Sequence, residues 1–258
     1  MKDLGKRLFS GLIGLVLLIF IVSKGGHLLS FAIYIVSIIG LREFYQAIEK
    51  IKIRPIYIIG YLGVTALFIN TIFQNNYLGL LFSILIITLL ILFVVNKNIR
   101  IEDVSMTILG IIYIPFLLFH IAYLDKTKYI WLVFIIAFGT DTFAYVAGNL
   151  FGKRKLCPKI SPKKTIEGSI GGIFGTAILL IIYSLYFNLE PIWKIILLSI
   201  VCSIIAQLGD LVASKIKRVC GIKDYGFIMP GHGGVLDRFD SIIFTAPVIY
   251  YYISIFLI

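Results

Sequence analysis

Apolar residues fall into nine runs along the chain, at roughly 8–23, 27–41, 55–73, 77–95, 104–124, 129–148, 168–187, 191–213 and 240–257. A helix that crosses a bilayer needs about 20 mainly apolar residues. The spacing therefore predicts an all-α, polytopic transmembrane helical bundle of about nine spans. The second run is short, so a tilted or re-entrant helix is expected there. Polar breaks separate the runs. Gln74–Asn76 and Asn188–Glu190 read as short turns, whereas Gly152–Glu167 and Ser214–Asp237 are long and polar. The expected organisation is an N-terminal set of transmembrane helices over 1–128. A C-terminal transmembrane region, 129–258, then carries the loops 152–167 and 214–238. No internal repeat is evident, which argues weakly against a transporter built from inverted halves.

Composition agrees with that pattern and narrows it. Of the 258 residues, 60% are hydrophobic and 14% charged, and the mean hydropathy is +1.02. An ordinary soluble domain is about 45–50% apolar and about 25% charged. A soluble globular protein, a disordered chain and a secreted disulfide scaffold are all excluded. The three cysteines, Cys157, Cys202 and Cys220, form no C-x-x-C pair and are expected as reduced thiols. Lys2, Lys6 and Arg7 precede the first apolar run, but no small-residue cleavage site follows, so a retained first helix is expected.

The net charge of +11 reads first as topology, not as nucleic-acid binding. If the N-terminus is cytoplasmic and the spans alternate, all but four of the 24 Lys and Arg residues face the cytoplasm. The exceptions are Lys24, Lys126, Lys128 and Lys194. This asymmetry places both long polar loops on the cytoplasmic side.

Acidic residues carry the chemistry. Asp141 and Asp210 lie inside apolar runs, where a bare carboxylate costs about 2.5–3.5 kcal/mol on insertion scales. Both stand toward the cytoplasmic ends of their helices. Asp237 and Asp240 stand three residues apart at the start of the last run, on one helix face. Gln207, Asp210, Ser214 and Lys217 form a polar stripe at helical spacing. For one such Asp, a polar contact between helices would suffice. Four carboxylates on one membrane side, beside two basic loops, point elsewhere. Carboxylates bind Mg²⁺, which typically takes one or two of them plus substrate phosphates. Lys and Arg bind phosphate oxygens. The combination describes a site for a Mg²⁺–polyphosphate at a membrane surface, with a lipid phosphate as second substrate.

The loops fit that chemistry. In the first loop Ser161–Gly168 reads S-P-K-K-T-I-E-G, and Pro158 and Pro162 stop the preceding helix from continuing. Thr165, Glu167 and Ser169 can cap the next one. The order is not that of a Walker A loop. Gly171 and Gly175 form a small-xxx-small pair, read as helix packing. In the second loop, Pro230-Gly-His-Gly-Gly is a permissive turn that leads into Asp237, and its glycines would let backbone amides approach phosphates.

At this point Ser214–Asp240 resembles the signature of the phosphatidate cytidylyltransferase (CDP-diacylglycerol synthase) family. The resemblance rests on Ser214, Lys217, Arg218, Lys223, Asp224, Gly226, Pro230, His232, Gly233, Gly234, Asp237, Arg238 and Asp240. Met229 departs from the usual Leu or Ile, a volume-conserving swap. Upstream, Asp141-Thr-Phe-Ala-Tyr145, Gly148, Phe151-Gly-Lys153 and Ser161–Gly168 are also similar. The likeness covers residues 139–241, while the N-terminal half is generic apolar helix with Arg42-Glu43-Phe44 only loosely alike. The resemblance implies CTP and phosphatidate as substrates, CDP-diacylglycerol and pyrophosphate as products, Mg²⁺ dependence with room for a second cation, a homodimer, and the bacterial inner membrane. Nothing in composition or spacing singles out cytidine.

The expected mechanism is in-line attack of a phosphatidate oxygen on the α-phosphorus of CTP. A phosphate monoester has a second pKa of about 6, so the nucleophile is already ionised and His232 need not act as a base. Asp210 and Asp237 are assigned to the metal first, then Asp141 and Asp240, with Asp210, Asp237, Lys217 and Arg218 as the catalytic set. Ser161, Lys163, Lys164, Thr165, Ser214, Lys223, His232, Gly233, Gly234 and Arg238 are assigned to substrate. The alternatives are a CTP-dependent lipid or polyprenol kinase and, from another class, a membrane transporter.

Overall fold

The computed structural model describes residues 2–73, 77–189, 191–228 and 233–256, with side chains from residue 11 onward. The turns at Gln74–Asn76 and Glu190, together with Pro230 and His232, lie outside the described residues. Within them each apolar run becomes a helix: α1 Lys2–Lys24, α2 Gly26–Glu49, α3 Tyr57–Ile72, α4 Leu78–Val95, α5 Ile101–Tyr123, α6 Ile130–Phe151, α7 Ile166–Phe187, α8 Ile192–Val219 and α9 Leu236–Phe256. Seven of these are long and apolar enough to cross a membrane; α3 and the Gly11–Lys24 part of α1 are shorter apolar helices. The chain is a multi-pass helical membrane protein, and its apolar exterior, such as Val94 and Val95 on α4, suits lipid.

The helices differ from the apolar runs in three places. α2 is not short, at 24 residues. It continues through Arg42 and Glu43 to Glu49, because the Glu43 carboxylate finds buried hydrogen-bond donors instead of hydrocarbon. α8 continues past Ala213 to Val219, so Ser214, Lys217 and Arg218 stand on a helix and not in a loop. Between α6 and α7 the expected loop is an antiparallel hairpin, β1 Lys155–Cys157 with β2 Ser161–Thr165, pairing Lys155 with Thr165 and Cys157 with Ser161.

The chain forms two compact units, one comprising residues 1–125 and 219–238, the other 126–218 and 239–258. In the first, Tyr45 is fully buried and its hydroxyl donates to the Thr107 carbonyl at 2.9 Å. Glycines at 60 and 110 make room for its ring: a Cβ there would lie 2.7 Å and 2.5 Å from ring atoms. Asp103 caps α5 by accepting from Arg100 N at 2.9 Å, and accepts from Arg54 N at 2.6 Å, which pins the α2–α3 connection. Pro115 lies in a π-helical turn, Ile112–Phe116, within α5, as expected where a missing N–H interrupts the ladder.

In the second unit α6 and α7 meet through small residues. Gly168, Gly171, Gly172 and Gly175 of α7 lie against Phe143, Ala144, Ala147 and Gly148 of α6 and their neighbouring backbone. Thr140 bonds Thr176 and Ser203 at 3.1 Å each, linking α6, α7 and α8 by hydroxyls inside the apolar layer. Thr165 is the N-cap of α7, accepting from Gly168 N at 3.1 Å. Glu167 accepts from Lys153 N at 3.0 Å and Arg154 N at 3.2 Å, so one carboxylate ties the residues leading into the hairpin to the helix that follows it.

Candidate active site

The second unit gathers acids and bases around α8. Asp210 forms an ion pair with Lys164 of β2, both side chains being about three-quarters buried. Ser214, one turn on, donates its hydroxyl to Asp210 Oδ1 at 3.2 Å. Asp240 of α9 is only 7% exposed. Its Oδ1 accepts the Ser241 amide at 2.7 Å, and it interacts electrostatically with Asp210, Asp141 and Lys217. Gly209 permits the close approach of α8 and α9, since a Cβ there would lie 2.6 Å from the Asp240 carbonyl oxygen. Asp141, on α6, is exposed. The polar stripe of α8 continues in both directions. Gln207 donates to the Ser169 carbonyl at 3.3 Å, and Arg218 Nε donates to the Ile160 carbonyl at 3.3 Å, holding the hairpin. Ser161 and Lys163 stand on β2, half-buried and exposed respectively.

The arrangement is a carboxylate group with cations on its rim. Asp240 feels the charge of Asp210 and of Asp141, Lys217 offsets part of it, and Lys164 pairs with Asp210. Among the described residues, no three Asp, Glu, His or Cys side chains converge closely enough to cage a metal alone. The donor chemistry still fits Mg²⁺, which needs only one or two carboxylates when phosphate oxygens and water complete its shell.

The other assigned residues belong to the first unit. Asp237 opens α9, and its Oδ2 accepts from Tyr225 N at 2.9 Å and Gly234 N at 3.0 Å. It thereby ties Tyr225 and Gly234 to the start of α9. Gly233 takes φ +85°, the left-handed region open to glycine. Lys223 and Arg238 are exposed, while Asp224 is half-buried. His232 lies outside the described residues.

One residue escapes a reading by sequence alone. Glu43 of α2 is 3% exposed, and its carboxylate accepts the amides of Val235 at 3.0 Å and Leu236 at 2.8 Å. These are the amides at the start of α9. The amides of Gly234, Val235 and Leu236 are thus directed at carboxylates. The available signal was a glutamate just past the apolar run that ends at residue 41, but its neighbours Arg42, Gln46 and Glu49 made it read as the polar end of that run.

Comparison with known proteins extends the likeness well beyond residues 139–241. A phosphatidate cytidylyltransferase of Staphylococcus haemolyticus is 37% identical over 254 residues, covering 94% of this chain and 96% of that protein. Proteins of the same name from Staphylococcus epidermidis and Staphylococcus aureus strain COL are 36% and 35% identical, again over 94% of this chain and 96% of theirs. The sequence profile described as the cytidylyltransferase family matches residues 5–256, through both units and the acid–base cluster, so the chain belongs to the cytidylyltransferase family.

Proposed function

We propose that this enzyme transfers the cytidylyl group of CTP to phosphatidate, releasing pyrophosphate and forming CDP-diacylglycerol for phospholipid synthesis. The observation that carries this reading is the near end-to-end match to relatives that bear that name. The cluster of three carboxylates with Lys164 and Lys217 supplies fitting chemistry.

In this reaction a phosphatidate oxygen forms a bond to the α-phosphorus of CTP, and the bond to the pyrophosphate oxygen breaks. The attacking phosphate is already ionised near neutral pH, so proton removal is not the obstacle. The obstacle is bringing two anions together, and the protein's work is positioning and charge neutralisation. Lys163 and Lys164 on the hairpin, and Lys217 and Arg218 on α8, bind phosphate oxygens. Lys223 and Arg238 do the same from the loop before α9 and its first turn. One or two of Asp141, Asp210 and Asp240 would hold Mg²⁺ together with phosphate oxygens, and the ion would neutralise phosphate charge and polarise the reacting phosphoryl group. The family resemblance assigns Asp237 to the cation as well. We further propose nine spans with a cytoplasmic N-terminus, a homodimer in the bacterial inner membrane, and a site open to cytoplasmic CTP.

Purified protein incubated with phosphatidate, CTP and Mg²⁺ is expected to yield CDP-diacylglycerol and pyrophosphate, with loss of turnover on chelation and recovery on adding Mg²⁺. Release of CDP with a phosphorylated lipid would establish the kinase instead. Substrate flux in sealed vesicles without CTP consumption would establish a transporter. No nucleotide product with any phosphatidate or divalent cation would overturn the proposal.

A further inference from the structure

The N-terminal helices contain no motif of the signature, yet one of their side chains is built into it. Glu43 lies 192 residues from Val235 in sequence. It is buried, and both its oxygens are engaged: Oε1 by Val235 N at 3.0 Å, Oε2 by Leu236 N at 2.8 Å. The first amides of a helix have no partner within it and carry the positive end of its dipole. A carboxylate there both satisfies the amides and matches the field. Most N-caps come from the residue just before the helix. Here the cap comes from another helix, so it also fixes where α9 begins.

Gly226 and Gly234 make room for this carboxylate. A Cβ at Gly234 would lie 2.6 Å from both Glu43 oxygens, and one at Gly226 would collide with Oε1. Asp237 accepts from the neighbouring amides, Tyr225 N and Gly234 N. Glu43 and Asp237 also interact electrostatically. Two carboxylates thus hold the amides of residues 225, 234, 235 and 236.

We infer that Glu43 is a positioning residue of the reaction: from the N-terminal half it caps α9 and sets the placement of Asp237 and Arg238. It touches no substrate. This inference rests on the proposed cytidylyl transfer, and the parent enzyme's turnover tests that reading separately. Glu43→Gln keeps size and burial but can accept through one atom only, leaving one amide without its acceptor. Misplacement of a reacting group by about 1 Å costs on the order of 100-fold. Per folded molecule, Glu43→Gln is expected to lower kcat about 100-fold, with KM for CTP within about threefold of the parent. Amide hydrogen exchange at residues 225–236 rises, and α6 to α8 keep their protection. Glu43→Asp, one methylene shorter but still a double acceptor, retains more activity than Glu43→Gln and restores part of the exchange protection. That ranking depends on the carboxylate rather than on filled volume. If Glu43→Gln does not yield folded protein, Glu43→Asp carries the test through the same two readouts. Parent-like kcat and exchange in the folded variant would overturn the inference. So would a loss of activity with exchange raised evenly through all helices, because that marks general destabilisation. If the parent itself makes no CDP-diacylglycerol, the proposed function fails, and the exchange contrast at residues 225–236 still decides the role of Glu43 as cap.

Discussion

Asp210 lies within an apolar helix yet has two polar partners, the Lys164 ammonium and the Ser214 hydroxyl. An ion pair that is about three-quarters buried is weak grounds for stability, because desolvation offsets much of the attraction. Retaining it makes sense if each partner has another task, Asp210 toward a cation and Lys164 toward a phosphate. Such residues act as a unit, so their losses do not add. Asp210→Asn and Lys164→Gln are each expected to lower kcat/KM at least 100-fold, in line with removal of a strong electrostatic contact. The double variant is expected to fall short of the product of the two losses by a coupling of about 1–3 kcal/mol. Steady-state kinetics on the four proteins measures this directly. Additive losses would mean that the two side chains serve separate tasks, and the ion pair would then have no part in turnover.

Glycine spacing explains how α6 and α7 come so close. A Cβ at Gly171 would overlap that of Ala147, one at Gly175 would enter the Phe143 ring, and one at Gly172 would lie 2.9 Å from the Thr140 carbonyl oxygen. Gly171→Leu is expected to destabilise the protein in detergent by about 1–3 kcal/mol, as overpacking does, and to lower the thermal midpoint. Gly14→Leu provides the control, since a Cβ there meets nothing within 4 Å. Equal midpoints for the two variants would show that the α6–α7 contact is not tight. This packing stripe was readable in the sequence because small residues at helical spacing within an apolar run have few other uses. The nine helices were readable for a similar reason, each needing an uninterrupted apolar stretch. The hairpin was not: strands of three and five residues, K-L-C and S-P-K-K-T, have no apolar alternation, and Pro162 suggested a loop. The last turns of α2 and α8 were missed because charged residues end an apolar run without ending a helix. Within the candidate site, Asp141 and Asp210 stood out as carboxylates in apolar surroundings. Glu43 did not, because the donors that stabilise it come from the far end of the chain.

Charge asymmetry bears on where the reaction takes place. CTP carries several negative charges and is held in the cytoplasm, so an enzyme that consumes it needs its bases on that side. Under the proposed orientation, which rests on the positive-inside distribution, the hairpin is expected on that side and Lys24 outside. The native thiols offer a direct check. Cys157, in the hairpin, is half-buried, while Cys202 is buried in α8. Cys220 is also buried, and burial pushes its thiol up, which lowers the reactive thiolate fraction. A membrane-impermeant maleimide is therefore expected to spare intact cells expressing the protein and to label Cys157 in inverted vesicles. In a Cys157→Ser background, Lys24→Cys, at an exposed helix end, is expected to reverse the pattern and react only in intact cells. Labelling of Cys157 from outside intact cells would invert the proposed orientation, and the basic loops could then have no role in binding cytoplasmic nucleotide. Labelling of both positions from one side would mean an even number of crossings between α1 and the hairpin, which the proposed alternation of nine spans does not allow.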